Sequence, residues 1–205
     1  MLAGCHVGDG TGHLDGKLFL TPCTADSDYG SSPTTPADYH MNPSFFVASP
    51  ISDFPGPHPV NRISIRVQSS GIRIEEADVM SMLVANDLPV AQMLNQPMDV
   101  GPATNVRATL NLHVSCPAQS VEMELDGQIT WTSFGSAAPP ASTVPADFKI
   151  NFDDRLAANF SFDVVDRRAL TLGGQGGVPV APSAAGHLDG SFDFIVREGR
   201  AAQSP

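Results

Sequence analysis

Through much of this chain apolar and polar residues alternate one by one. In VRATLNLHVSC, Val106, Ala108, Leu110, Leu112, Val114 and Cys116 share one face, and Arg107, Thr109, Asn111, His113 and Ser115 share the other. In VEMELDGQITW, Val121, Met123, Leu125, Gly127, Ile129 and Trp131 alternate with Glu122, Glu124, Asp126, Gln128 and Thr130. A period of two marks strands with one buried face. The short CPAQS link predicts that these two form an antiparallel hairpin. A second hairpin is predicted from Phe148, Ile150 and Phe152, through a turn at Asp153-Asp154, to Leu156, Ala158, Phe160, Phe162 and Val164. NRISIRVQ, DVMSMLVA and SFFVAS read as further strands, and LPVAQMLN is the one helical candidate.

The two ends of the chain repeat each other. GHLDGKLFL at 12–20 returns as GHLDGSFDFIV at 186–196. In each copy the alternation puts Leu and Gly on one face and His and Asp on the other: His13 and Asp15, His187 and Asp189. Phe19 and Ile195 are apolar exceptions on the polar face. Segments rich in Pro, Ser, Thr and Gly at 24–43, 53–60, 135–147 and 172–186 read as loops. The predicted fold is all-β: a β-sandwich of about nine mostly antiparallel strands with long loops and at most one short helix. Residues 1–12 read as a signal remnant and flexible tether, 13–199 as one sandwich domain, and 200–205 as a C-terminal tail.

Charge narrows the partners. The 205 residues hold 22 acidic against 11 basic side chains, a formal net charge of −11. Such a surface repels nucleic acid and is not drawn to anionic lipid headgroups. No stretch reaches the ~20 apolar residues of a membrane-spanning helix.

Leu2-Ala3-Gly4-Cys5 resembles the lipobox of bacterial lipoproteins, in which the signal peptide is cut before the Cys and the Cys is acylated. The apolar segment of such a signal does not precede LAGC here, so the resemblance implies a truncated signal peptide. It implies that Cys5 is the lipidated first residue of the mature protein, and that the partner is a membrane reached through that anchor. The expected location is the outer membrane of a bacterial cell envelope, facing the periplasm or the cell surface. The excess of Arg over Lys, with abundant Ala, Pro and Gly, is similar to envelope lipoproteins of myxobacterial type, a resemblance that implies no activity. With Cys5 acylated, Cys23 and Cys116 remain as a pair in an oxidising compartment, and a disulfide between them is expected. It would close a loop of about 90 residues. Two buried free thiols are the alternative.

Candidate chemistry is sparse. If the first and last strands are neighbours, His13, Asp15, His187 and Asp189 would share one outer face, a donor set suited to a divalent metal. The plainer reading is that G-x-L-x-G places glycines where another backbone packs closely. No G-x-S-x-G elbow is present, Ser69-Ser70 carries no motif, and His40, His58 and His113 are scattered. Glu75-Glu76 would point to opposite faces of a strand, and Asp153-Asp154 reads as a turn. Trp131 falls on an inward face. The expectation is therefore a non-catalytic envelope domain, structural or binding, that needs no cofactor and has an envelope protein or glycan as its possible partner. A carbohydrate- or protein-binding module displaying Tyr29, Tyr39, Phe45 or Phe54 is one alternative. A hydrolase or metal-dependent enzyme using the HLD repeats is the other.

Overall fold

A computed structural model describes residues 6–19, 36–50, 62–71, 73–85, 90–116, 120–135, 154–166 and 183–197. Ten strands follow in chain order: β1 (His6–Leu18), β2 (Ala37–Met41), β3 (Phe45–Pro50), β4 (Arg62–Gln68), β5 (Val79–Ala85), β6 (Pro97–Val100), β7 (Val106–Leu112), β8 (Val121–Phe134), β9 (Arg155–Asp166) and β10 (Ser183–Arg197). A four-residue helix, α1 (Val90–Met93), and a 3-10 turn at Ile74–Glu76 complete the described elements. The class is all-β, as the alternation predicts. Among the described residues no helix is long and apolar enough to cross a membrane.

The two packed layers expected from the pattern belong to one continuous sheet. Pairing runs β1–β3–β4–β5–β7–β8–β9–β10 and returns from β10 to β1. Eight positions thus close into a ring in which neighbours in sequence are neighbours in space, an up-and-down barrel without a free edge along that ring. Two of the long strands each serve two short partners. β1 pairs with β2 through Leu14–Leu18 and with β3 through His6–Gly8. β8 pairs with β7 through Val121–Leu125 and with β6 through Gly127–Thr130. The predicted hairpin of β7 and β8 forms, with Leu110 opposite Met123. The strand predicted at Phe148–Phe152 lies outside the described residues, and β9 pairs with β8 and β10.

Two sequence expectations are corrected. Residues 6–12, read as tether, are strand: Val7 to Leu18 pair without a break with Arg197 to Gly186. The glycines at 8, 10 and 12 are there because of the opposite strand. At inward positions along this seam a glycine faces a bulky residue: Gly8 faces Val196, Gly10 Phe194, Gly12 Phe192, and Gly16 Leu188. Between and beyond the last two, the roles are exchanged, with Gly190 facing Leu14 and Gly186 facing Leu18, so that from residue 12 onward the glycine alternates between the strands. Added Cβ atoms at Gly10, Gly16, Gly186 or Gly190 would overlap a backbone carbonyl of the partner strand. The repeated LDG thus makes a local two-fold about Asp15 and Asp189, and the G-x-L-x-G reading of close backbone approach holds. The second correction concerns 24–43. Its end, ADYHM, forms β2, with Tyr39 and Met41 buried and Asp38 and His40 outside.

Aromatic side chains fill the barrel. Phe46 and Phe194 stack with centroids 5.1 Å apart, reaching past side-chain-free Gly8. Phe192, Phe160, Phe162, Trp131 and Phe134 extend the stack from β10 across β9 to β8. Leu14, Ile65, Met82 and Leu110 are fully buried around them. An eight-stranded barrel is just wide enough to be filled by side chains in this way. The outside carries Asp15, Glu122, Asp126, Asp163 and Asp189. Charge outside and apolar side chains inside is the reverse of a lipid-spanning barrel.

Candidate functional site

The chemistry-bearing side chains gather in two places. The first is the outer wall of β2, β1, β10 and β9. Register places Asp15 opposite Asp189, and Lys17 opposite His187. His187 in turn lies opposite Asp163. The side chains extend these rows. His40 Nδ1 stands 2.7 Å from Asp15 Oδ1. His187 Nδ1 stands 2.8 Å from Asp163 Oδ1, while its Nε2 is 3.2 Å from Ser161 Oγ and 3.4 Å from Asp189 Oδ1. His13 Nδ1 lies 3.1 Å from Ser191 Oγ. Lys17 Nζ is 3.9 Å from Asp38. Further along the wall, the Arg155 guanidinium grips Asp193 with two hydrogen bonds and holds that carboxyl below the usual carboxylate range. The Asp163 hydrogen bond, chief among the influences on His187, holds its imidazolium above the ordinary histidine range.

The structure therefore brings His13, Asp15, His187 and Asp189 to one face, as the sequence predicts for neighbouring end strands. It does not converge them on a point. His13 is engaged by Ser191, Asp15 by His40, and His187 by Asp163 and Asp189. Among the described residues no group of three or more His, Cys, Asp and Glu is arranged to hold a metal ion. Phe19 and Ile195, the exceptions on this face, are half-buried.

The second place is the barrel end where β1, β4 and β7 finish, here the upper end. Asp78 is only 4% exposed, yet it is fully engaged. Its Oδ1 accepts the backbone N–H groups of His113, Val114 and Ser115 at 2.8, 3.0 and 3.2 Å. Its Oδ2 accepts the Ser115 hydroxyl and, at 3.4 Å, the Tyr39 hydroxyl. Its own N–H donates to Ser69 Oγ. Burial, followed by the Asp78 charge, pushes the Tyr39 phenol far above its ordinary pKa. This cluster ties the connection after β7 to the start of β5. Sequence reading missed it, although a signal existed: Asp78 shares the parity of Met80, Met82 and Val84, so it is a charge at an inward position. His113 joins this cluster through its backbone N–H.

No protein-family model, curated protein or solved structure matches this chain. The remaining sequence candidates fall as follows. Cys5, Cys23, Tyr29, Phe54, His58 and Asp153 lie outside the described residues. Cys116 is buried, and its sulfur is not free. Tyr39 is core rather than surface, a correction to its place among displayed aromatics, and Phe45 is half-buried. Asp154 is buried at 5% exposure, and its carbonyl accepts the Val196 N–H. Glu75 and Glu76 sit in the exposed 3-10 turn. A depression of about 150 Å³ lies where β6 hands over to β7, lined by Gly101, Arg107, Thr109 and Glu124 among others. It is below the ~300 Å³ at which small-molecule pockets begin.

Proposed function

We propose that this chain is a non-catalytic barrel module of a bacterial cell envelope, held at the outer membrane by lipid on Cys5 and serving a structural or binding role. The observation that carries this reading is one of position. The lipobox-like LAGC ends immediately before β1 begins at His6, so a lipid on Cys5 would be joined covalently next to the start of the first strand. That end, where β3 and β10 also finish, would face the bilayer, and the Asp78 end would point away. The charged outer wall supports attachment through lipid rather than burial in it. Two or three acyl chains suffice for stable anchoring, at about 0.8 kcal/mol per buried CH₂.

A disulfide between Cys23 and Cys116 belongs to the same proposal. β1 and β7 both run toward the upper end, so the chain leaves Phe19 and Leu112 on the same side of the barrel. Cys23 lies four positions beyond Phe19, a reach of up to about 14 Å.

Mass spectrometry of the protein expressed with its native upstream sequence tests both points. The expected product begins at Cys5, carries acyl chains, and is two hydrogens lighter than its fully reduced form. An unmodified start refutes the anchor. Two thiols that alkylate without reduction refute the bridge.

A binding role has one observation in its favour. Ile74 and Val114, 43% and 59% exposed, both sit at the end that would point away from the membrane. A partner protein or glycan meeting that end would lose affinity for an Ile74→Ser/Val114→Ser variant whose fold is intact. Unchanged binding would remove this reading.

A further inference from the structure

The first and last strands close the barrel, and their register sets two carboxylates, Asp15 and Asp189, directly opposite each other on the outer face. Like charges facing across an antiparallel pair weaken it. His187 stands beside this pair and touches carboxylates on two elements, Asp163 on β9 and Asp189 on its own strand. We propose that the β1–β10 seam is a proton-operated clasp. Protonated His187 bridges Asp163 and Asp189 and offsets the repulsion between Asp15 and Asp189, so the closing seam tightens in mildly acidic surroundings and slackens at higher pH.

The charges around His187 support that sign. From β1 it faces Lys17, a like charge that opposes the effect and is drawn aside by Asp38 of β2 at 3.9 Å, and one step further along the strand lies Asp15, which His40 of β2 contacts at 2.7 Å. From β9 it faces Asp163 and the neutral Ser161. Beyond Asp163, on β8, lies Asp126. Carboxylates therefore outnumber cations around the ring, and its charged form is the favoured one. A histidine whose folded pKa is raised contributes stability fully below its unfolded pKa, and that stability is lost as pH rises through the folded pKa. His187, Asp163 and Asp189 are exposed, so solvent screens the effect to the scale of a surface ion pair.

The test is amide hydrogen exchange of the full chain at about pH 5.5 and about pH 8, which bracket histidine titration, corrected for intrinsic rates. Amides of β1 and β10 are compared with those of β4 and β5. In the wild type the seam's opening constant rises about two- to fivefold relative to β4 and β5 between the two conditions, the range of one exposed ion pair. His187→Gln abolishes that difference, and Asp163→Asn shifts it to lower pH. His113→Gln, at the Asp78 end, leaves it unchanged. A His187→Gln protein with the wild-type response, or a wild type whose seam and β4–β5 amides respond alike, overturns the clasp.

Discussion

Two carboxylate clusters sit on this barrel and use the same functional group in opposite ways. Asp78 is buried and collects three backbone N–H donors and two hydroxyls. Asp15, Asp163 and Asp189 stand on an open wall, with side chains 52%, 70% and 69% exposed, and each meets a histidine. Burial decides the energetics. Removing a buried carboxylate leaves several donors without water or partner, whereas an exposed one is replaced by solvent. The Asp78 end is therefore fixed by hydrogen bonds. The β1–β10 seam is fixed by shape, glycine against bulk, and its charges only tune it.

The largest effect follows at Asp78. Asp78→Ala should cost about 3–5 kcal/mol, because it strands the N–H groups of residues 113–115 and the Ser115 hydroxyl. Urea denaturation with an unchanged slope would measure it. A loss below about 1 kcal/mol would mean that water reaches those donors, and the contrast between the two clusters would collapse.

Glycine substitutions at the seam come next, and they separate two kinds of crowding. At Gly16 a Cβ meets the His187 carbonyl, which is backbone, so Gly16→Ala should cost about 1–3 kcal/mol and trimming Leu188 should not rescue it. At Gly8 the nearest obstacle is the Phe194 ring, which a smaller side chain removes. A double-mutant cycle of Gly8→Ala with Phe194→Leu should show favourable coupling of about 1 kcal/mol, and Gly16→Ala with Leu188→Ala almost none. Equal coupling in both cycles would show that the seam yields as a whole.

These residues also explain what the sequence does and does not disclose. Period-two alternation is a local signal, and it locates β4, β5, β7, β8, β9 and β10 because each carries several bulky inward residues. The first half of β1 escapes it, since its inward positions at 8, 10 and 12 are glycine and resemble a loop until Phe192 and Phe194 are set opposite. β2 escapes because ADYHM is short and follows a run rich in Pro, Ser and Thr. Closure of the sheet is a pairing between residues some 180 positions apart, which alternation does not encode; the HLDG repeat is its one local trace. Asp78 is legible only by parity, as a charge in register with methionines.

Tyr39→Phe is expected to be mild. Its hydroxyl reaches Asp78 over a long 3.4 Å, and the other four donors remain when it is removed. The loss should stay under about 1 kcal/mol by thermal unfolding. A larger loss would make the phenol, not the loop amides, the anchor of that end.

The smallest change sharpens the comparison most, because the chemistry is identical at both places. Asp15→Asn removes one charge and no volume, as Asp78→Asn does at the buried site. At Asp15 two effects oppose. The exposed contact with His40, 2.7 Å long, is weakened. The like-charge pairing with Asp189 across the seam is relieved, and the net charge of −11 falls in magnitude by one. Each effect is worth a few tenths of a kcal/mol at an exposed site, so the sum should lie within about 0.5 kcal/mol of zero. Salt decides which dominates. Both effects are screened as the Debye length drops from about 30 Å at 0.01 M to about 3 Å at 1 M, so any low-salt difference should vanish at high salt. The Asp78→Asn loss, from buried hydrogen bonds, should persist there undiminished. If the two asparagine variants respond alike to salt, the Asp78 carboxylate is not shielded from solvent, and burial does not distinguish the two ends.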